Sequence, residues 1–421
     1  MVPNGWDFVK LDDIAIKVMV GIASAATHAY TDSGIRMLRN LNIKDGWIDD
    51  SDILHIDNDY EVQHKNKRLK TGDILTVRTG YPGLSAVVPS IYENAQCFTS
   101  LVTRLDQAKA LPDYVCRFIN SEYGKKFIVS GEAGGAQKNV NAAMLKKMPI
   151  PLPPLPEQRK IAQILSTWDR GIATTEKLID ASKQQKKALM QQLLTGKKRL
   201  IDPETGKAFQ GEWEEVKLGD LGKTFTGLTG KTKEHFGKGS KYIPYINIFR
   251  NSSVDMNALE LVDVLPNEKQ NLVKYGDIFF TTSSETPEEV GMSSVILEEI
   301  DESVYLNSFC FGFRPHNFNR VKPEFICYLL RSEKVRRSIS LLAQGATRYN
   351  LSKTQLLKIT LNIPSLGEQQ KIASVLTTAD KEIELLEAKL AHFKQEKKAL
   401  MQQLLTGKRR VKVEHMEEAT C

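Results

Sequence analysis

The chain is 421 residues long, 41% hydrophobic and 26% charged, the balance of a folded protein with more than one core and not of a disordered tail. Its longest apolar runs, such as IPLPPL, fall far short of the roughly 18 apolar residues of a membrane span, and the opening MVPNGWDFVKLDD lacks the basic-then-apolar layout of a secretion signal. A cytoplasmic protein that meets no membrane is therefore expected. The net charge of +7 and pI near 8.9 suggest an acidic partner without identifying it.

In chain order, the pattern W-x-x-V-K-L opens at Trp6, and a basic cluster HKNKRLK follows from His64. The runs ILTV from Ile74 and AVV from Ala86, bounded by Gly, Asp and Pro, predict short strands. Pro112 opens an amphipathic helical stretch predicted to fail at Gly131, with Pro at its first position and Gly past its end. A polar loop GEAGGAQKNVN, an extended Pro-bearing segment MPIPLPPLP and a long helix complete this first half.

The second half repeats the first. The string KKALMQQLLTGK stands at Lys186–Lys197 and again, letter for letter, at Lys397–Lys408, an offset of 211 residues. That offset holds upstream through EQRKIAQIL against EQQKIASVL, through Asn139 against Asn350, and back to Pro112 against Pro323. Earlier the register drifts: GDILTVRTG from Gly72 faces GDIFFTTSS from Gly276, and Trp6 faces Trp213. Strands are predicted at IFFTT from Ile278 and SVIL from Ser294, and a helical stretch from Pro323 to Gly345. Each unit thus begins variable and ends nearly constant.

The long helices carry heptad spacing. Ile161, Leu165, Trp168, Ile172, Thr175, Ile179, Ser182, Lys186, Leu189 and Leu193 alternate by four and three, and so do Ile372, Leu376, Ala379, Ile383, Leu386, Leu390, Phe393, Lys397, Leu400 and Leu404. A parallel in-register pair sets Lys186 against Lys397 inside the seam, a like-charge contact in a partly dry place. An antiparallel pair avoids it. Lys186 then faces Ala379 with room to snorkel, and Lys397 faces Trp168 in cation–π contact. The fold class expected is α+β: two mixed α/β modules separated by an antiparallel two-helix coiled coil, with a pseudo-twofold internal repeat.

This layout resembles the specificity subunit of Type I restriction-modification systems, and the resemblance runs through about Arg410. The residues that carry it are G-D-I after the early strands, the polar loop with Asn139 or Asn350, the E-Q helix starts at Glu157 and Glu368, and the duplicated LL-T-G-K helix ends. It implies target recognition domains at 1–152 and 201–363, conserved helices at 153–200 and 364–410, and a tail at 411–421. It further implies a non-catalytic DNA-recognition subunit that binds a bipartite asymmetric double-stranded site. That subunit recruits modification methyltransferase subunits, two copies, together with restriction or translocase subunits. S-adenosylmethionine is then expected on the methyltransferase, with no cofactor bound by this chain. A coiled-coil scaffold that never meets DNA is the alternative.

No N/D-P-P-Y/F tetrad, HExxH, GxSxG or GxGxxG occurs, so no catalytic group or metal site is expected here. Gly230, Lys231 and Thr232 form the end of a P-loop, but the earlier glycine it requires falls at Phe225. The long helices hold much of the positive charge: ten Lys/Arg against four Asp/Glu over 154–200, and nine against six over 365–411. Against a total of +7 the rest of the chain is slightly acidic, so DNA contacts are expected from local clusters. Candidates in the first module are Lys65, Lys67, Arg68 and Arg78, and in the second Lys231, Lys233 and Lys241. The matched polar loops add Gln137 and Lys138, and Thr347 and Arg348, residue types that suit base edges or phosphates. Asn139 and Asn350, alike in both copies, read as turn caps in preference to base contacts. Cys97, Cys116, Cys310, Cys327 and Cys421 are odd in number without CxxC spacing, and read as buried free thiols.

Overall fold

The computed structural model describes residues 3–24, 26–130, 139–345 and 347–413. The chain divides into two units: Met1–Glu176 with Ala388–Cys421, and Lys177–Glu387. The division falls within both long helices, Leu155–Leu193 and Leu366–Leu404.

In the first unit a four-stranded antiparallel sheet has the order Ala15–Val20, Leu101–Leu105, Ile74–Thr76, Ser85–Val87. The Ile74–Thr76 strand is buried throughout because both of its faces are covered. Ile74 joins the core shared with the helices, while Leu75 turns to a second cluster around Leu38, Ile43 and Val102. A smaller sheet carries Ile35–Leu38 beside Gln96–Cys97 in parallel. The helical stretch from Pro112 is two helices, Pro112–Asn120 and Glu122–Ser130. Ser121 separates them: its hydroxyl donates to Phe118 O at 2.6 Å and accepts Gly124 N–H at 3.3 Å. Gly131, the expected stop, lies outside the described residues.

The second unit has the same frame. Its four-stranded order is Gly222–Thr226, Cys310–Pro315, Ile278–Thr281, Ser293–Val295, and Phe236–Ile243 runs parallel to Val304–Leu306. Ile278 and Phe280 face one core and Phe279 another. The predicted stretch from Pro323 is again two helices, Pro323–Leu329 and Glu333–Ser340, and Ser332 between them donates to Leu329 O at 2.6 Å.

The W-x-x-V-K-L segments are strands paired with the Pro-bearing segments: Asp7–Lys10 with Pro149–Leu152, and Glu214–Lys217 with Thr360–Ile363. Pro149 and Pro151 alternate, so both missing N–H groups fall on one side of a two-stranded ribbon and the ladder survives.

The constant helix ends are core residues. Leu404 and Leu405 are buried with Trp6, Leu11 and Tyr114 in the first unit, and Leu193 and Leu194 are buried with Val216, Leu218 and Phe325 in the second. The glycine of each LL-T-G turn has a left-handed backbone, φ +70° at Gly196 and +72° at Gly407, as a helix C′ position favours. A Cβ on Gly407 would stand 2.4 Å from Pro3.

Within each unit the two helix segments pack antiparallel. In the first, Lys397 pairs with Asp169 at 2.5 Å, Lys394 with Glu176 at 2.8 Å, and Trp168 meets Phe393 edge-on at 5.5 Å. In the second, Lys186 pairs with Asp380, and Lys183 with Glu387 at 2.7 Å. The expected partners of the seam lysines are corrected here by one residue. Lys186 reaches the Asp380 carboxylate beside Ala379, and Lys397 reaches Asp169 beside Trp168, because a partly dry ammonium gains more from a carboxylate than from a methyl group or a ring. Arg117 also binds Asp169, and Tyr328 binds Asp380.

Candidate nucleic-acid interface

The motifs shared by the two units are structural. Asp73 of the first G-D-I accepts the Lys70 N–H and a bidentate pair from Arg104 at 2.8 and 2.7 Å. Asp277 of the second accepts the Lys274 N–H and a bidentate pair from Arg314 at 2.8 and 2.6 Å. The E-Q starts act as clamps. Gln158 accepts Leu111 N–H and donates to Lys109 O and Pro153 O, and Gln369 accepts Lys322 N–H and donates to Arg320 O and Pro364 O.

Glu157 receives both forks of Arg410 at 2.7 Å together with the Trp6 indole at 3.1 Å, and Glu368 receives Arg199 at 2.6 and 2.7 Å. Glu368 is fully buried, so Glu368→Ala leaves the Arg199 guanidinium with only the Gly211 and Gln210 carbonyls and should lower stability by about 3 kcal/mol, read as a fall in the melting midpoint. A midpoint within a degree of the parent would show that the Arg199–Glu368 pair does not hold the helix start.

Four of the basic residues singled out in the sequence, Lys67, Arg68, Lys231 and Lys241, are taken up by partners within the chain. Arg68 is held by Glu61, itself buried on the Asn58–Gln63 helix, at 2.7 and 2.6 Å, and Lys67 donates to Gly21 O at 2.8 Å. Lys231 is corrected most sharply. Its side chain is only 1% exposed and pairs with Glu268, whose carboxyl it pulls down to about 2. Lys241 pairs with Glu302 at 2.7 Å. Lys65 and Lys233 are exposed and form no side-chain bond among the described residues. Arg331 and Arg336 are spent on backbone carbonyls, and burial lowers each guanidinium to about 10. Gln137 and Lys138 lie outside the described residues.

The remaining candidates converge on one place in each unit. In the first, Val140 N–H, at the end of the polar loop, bonds Arg78 O at 3.1 Å, just past the Ile74–Thr76 strand. In the second, Leu351 N–H bonds Thr282 O at 2.9 Å, just past Ile278–Thr281. A third segment joins each. Asn40 Nδ2 donates to Thr79 Oγ1 at 3.2 Å, and the Tyr245 hydroxyl donates to Ser283 O at 2.9 Å. Below these, Asn42 and Asn247 play one part: each is buried and donates to two carbonyls of its own loop, Asp49 and Asp52, or Asp255 and Ala258. The recurring Asn-Ile at 42 and 247 was the one sequence signal for this third segment.

Backbone bonds repeat here while side chains do not. Asn40, Arg78 and Thr79 in one unit stand where Tyr245, Thr282 and Ser283 stand in the other. Thr347 and Arg348 are exposed beside the second site. Burial raises the Tyr245 hydroxyl pKa, and the Thr281 hydroxyl and, more weakly, the Arg348 charge oppose the rise. Asn139 and Asn350 are both exposed, and the helix caps next to them are Asn141, which accepts Met144 N–H at 2.8 Å, and Ser352. Asn350 Nδ2 donates to Arg348 O at 3.4 Å within its own turn, whereas Ser352 at the helix start makes no side-chain cap bond.

Cys97, Cys116, Cys310 and Cys327 are free and buried, and burial pushes Cys97 up to about 12 and Cys327 to about 11, far from a reactive thiolate. Cys421 is outside the described residues. Among the described residues no helix is long and apolar enough to cross a membrane.

The family model of the type I restriction modification DNA specificity domain matches the chain twice, at residues 3–184 and 210–395. The MjaVIII specificity subunit of a type I restriction enzyme from Methanocaldococcus jannaschii is 30% identical over 75% of this chain and 74% of that protein. The putative MjaX specificity subunit of the same organism is 27% identical over 98% of this chain and 95% of that protein. Among solved structures, the HsdS subunit from Thermoanaerobacter tengcongensis aligns with a TM-score of 0.53 over 97% of this chain and 98% of its own, at 17% identity. That likeness is one of fold. The two family matches, the relative at 30% identity and the duplicated frame agree: the chain belongs to the family of type I restriction modification DNA specificity subunits.

Proposed function

We propose that each unit reads one half of a bipartite, asymmetric double-stranded DNA site. The two long helices then form an antiparallel coiled coil of pseudo-twofold design that receives modification methyltransferase subunits, two copies, with restriction subunits joining them. Specificity subunits are the non-catalytic, sequence-reading component of type I systems, and this chain is not an enzyme. S-adenosylmethionine belongs to the methyltransferase, and the cytoplasm is where chain and DNA meet.

The observation that carries this reading is the repeated frame with unlike side chains. Val140–Arg78 and Leu351–Thr282 hold two loops in the same way while presenting different groups, as two sites of unlike sequence require. Residues 1–152 and 201–363 are the reading modules. A scaffold without DNA binding has no need of such variation. Among the residues named from the sequence, Arg78, Thr347 and Arg348 are the contacts best supported by their position, with Lys65 and Lys233 suited to phosphates.

Exchanging residues 1–152 for the first module of another family member, and mapping methylated sites in cells that also hold the methyltransferase, should change one half of the recognised site only. A change in both halves would contradict independent reading.

A further inference from the structure

The Asn40 carboxamide is held from two sides. Its Oδ1 accepts the hydroxyl of Ser100, a buried residue, at 2.8 Å, and its Nδ2 donates to Thr79 Oγ1 at 3.2 Å. A carboxamide has two donor hydrogens and two acceptor lone pairs, so one of each is left over on a side chain whose position is fixed. Asn40 is half-exposed, and next along the Thr79 loop stands Tyr81, 82% exposed. Arg78 is adjacent and half-exposed.

A donor beside an acceptor is the pattern that matches adenine in the major groove, where N7 accepts and N6 donates. The position is also the one at which the two units differ most in chemistry. Tyr245, in the equivalent place, uses its single hydroxyl hydrogen on Ser283 O and has no such pair to offer. The fixed frame beneath it, Asn42 in one unit and Asn247 in the other, is the same.

We propose that Asn40 is a specificity-determining residue that reads an adenine in the half-site of the first unit, with Arg78 and Tyr81 lying against the same stretch of duplex. This rests on the DNA-recognition reading above. The second unit, with Tyr245 there, reads a different base at the matching position.

The test is modified-base sequencing of the genome in cells carrying the full chain and its methyltransferase, with parent, Asn40→Ala and Asn40→Asp compared. Asn40→Ala should cut discrimination at one adenine of one half-site by roughly tenfold or more, leaving the other half-site as it was. Asn40→Asp, which keeps an acceptor for Ser100 and loses the donor, should move the preference at that position toward cytosine, whose N4 amino group donates. Should the alanine variant fold poorly, the aspartate variant carries the same test. Unchanged recognition at every position, with the parent active, overturns the assignment of Asn40 alone. A parent chain that directs no site-specific methylation overturns the DNA-recognition reading itself.

Discussion

Replacing Leu404 by alanine, close to the end of the chain, will destabilise the unit that holds the start of the chain. Leu404 is 2% exposed and packs in the core with Trp6, Leu11, Tyr114, Ile161 and Leu165. Leucine-to-alanine changes at such positions cost about 2–5 kcal/mol through lost burial and the cavity left behind. The mirror change, Leu193→Ala, falls in the core of Val216, Leu218, Phe325 and Ile372 and will destabilise the second unit by a similar amount. The effects are therefore crossed with respect to chain order: the helix end that follows each module fills the core of the other. Hydrogen exchange resolved by peptide reads this directly. Leu404→Ala should lose protection over 101–152 and keep it over 276–363, and Leu193→Ala should do the reverse. Lost protection in the module that immediately precedes the mutated helix end, with the other intact, would refute the assignment of these leucines.

How much of this was readable beforehand depends on the range of the interaction. The strands expected from Ile74, Ala86, Ile278 and Ser294 and the helices opened by Pro112 and Pro323 rest on local pattern, and they begin within one residue of where expected. A lysine in a heptad seam also signals its need for a partner. The partner's identity did not show, because Asp169 and Asp380 sit one position off the seam, where a periodicity argument ignores them. The basic clusters failed for the same reason on a larger scale. Lys231 looks like a loop cation until Glu268, 37 residues on, is folded against it. Charge counted along a chain cannot distinguish a strut from a contact when the carboxylate comes from another segment. Asn40 escaped notice because its importance lies in Thr79 and Ser100, both distant in sequence, which fix it in place.

The largest consequence of the duplication concerns a chain cut after Leu200. The first unit of the whole protein takes from the second helix Lys394 onto Glu176, Lys397 onto Asp169, Lys398 and Gln402 onto Glu122, Leu404 and Leu405 into the core, and Arg410 onto Glu157. At the offset of 211 the first helix holds Lys183, Lys186, Lys187, Gln191, Leu193, Leu194 and Arg199, the same residue at every one of these places. A fragment ending at Leu200 can therefore fill its own unit's slot from a second copy of itself. One contact is lost: Phe393, which meets Trp168 edge-on, is matched by Ser182. The fragment should form a twofold homodimer, weaker than the joined chain because tethering is gone, and with methyltransferase should modify an inverted repeat of the first half-site. Ser182→Phe should restore the aromatic contact at both ends of the twofold pair and tighten the dimer by roughly 2 kcal/mol, about thirtyfold in Kd. Sedimentation at tens of micromolar distinguishes the outcomes. A fragment that stays monomeric, with or without Ser182→Phe, would show that the twelve repeated residues do not serve the two cores interchangeably.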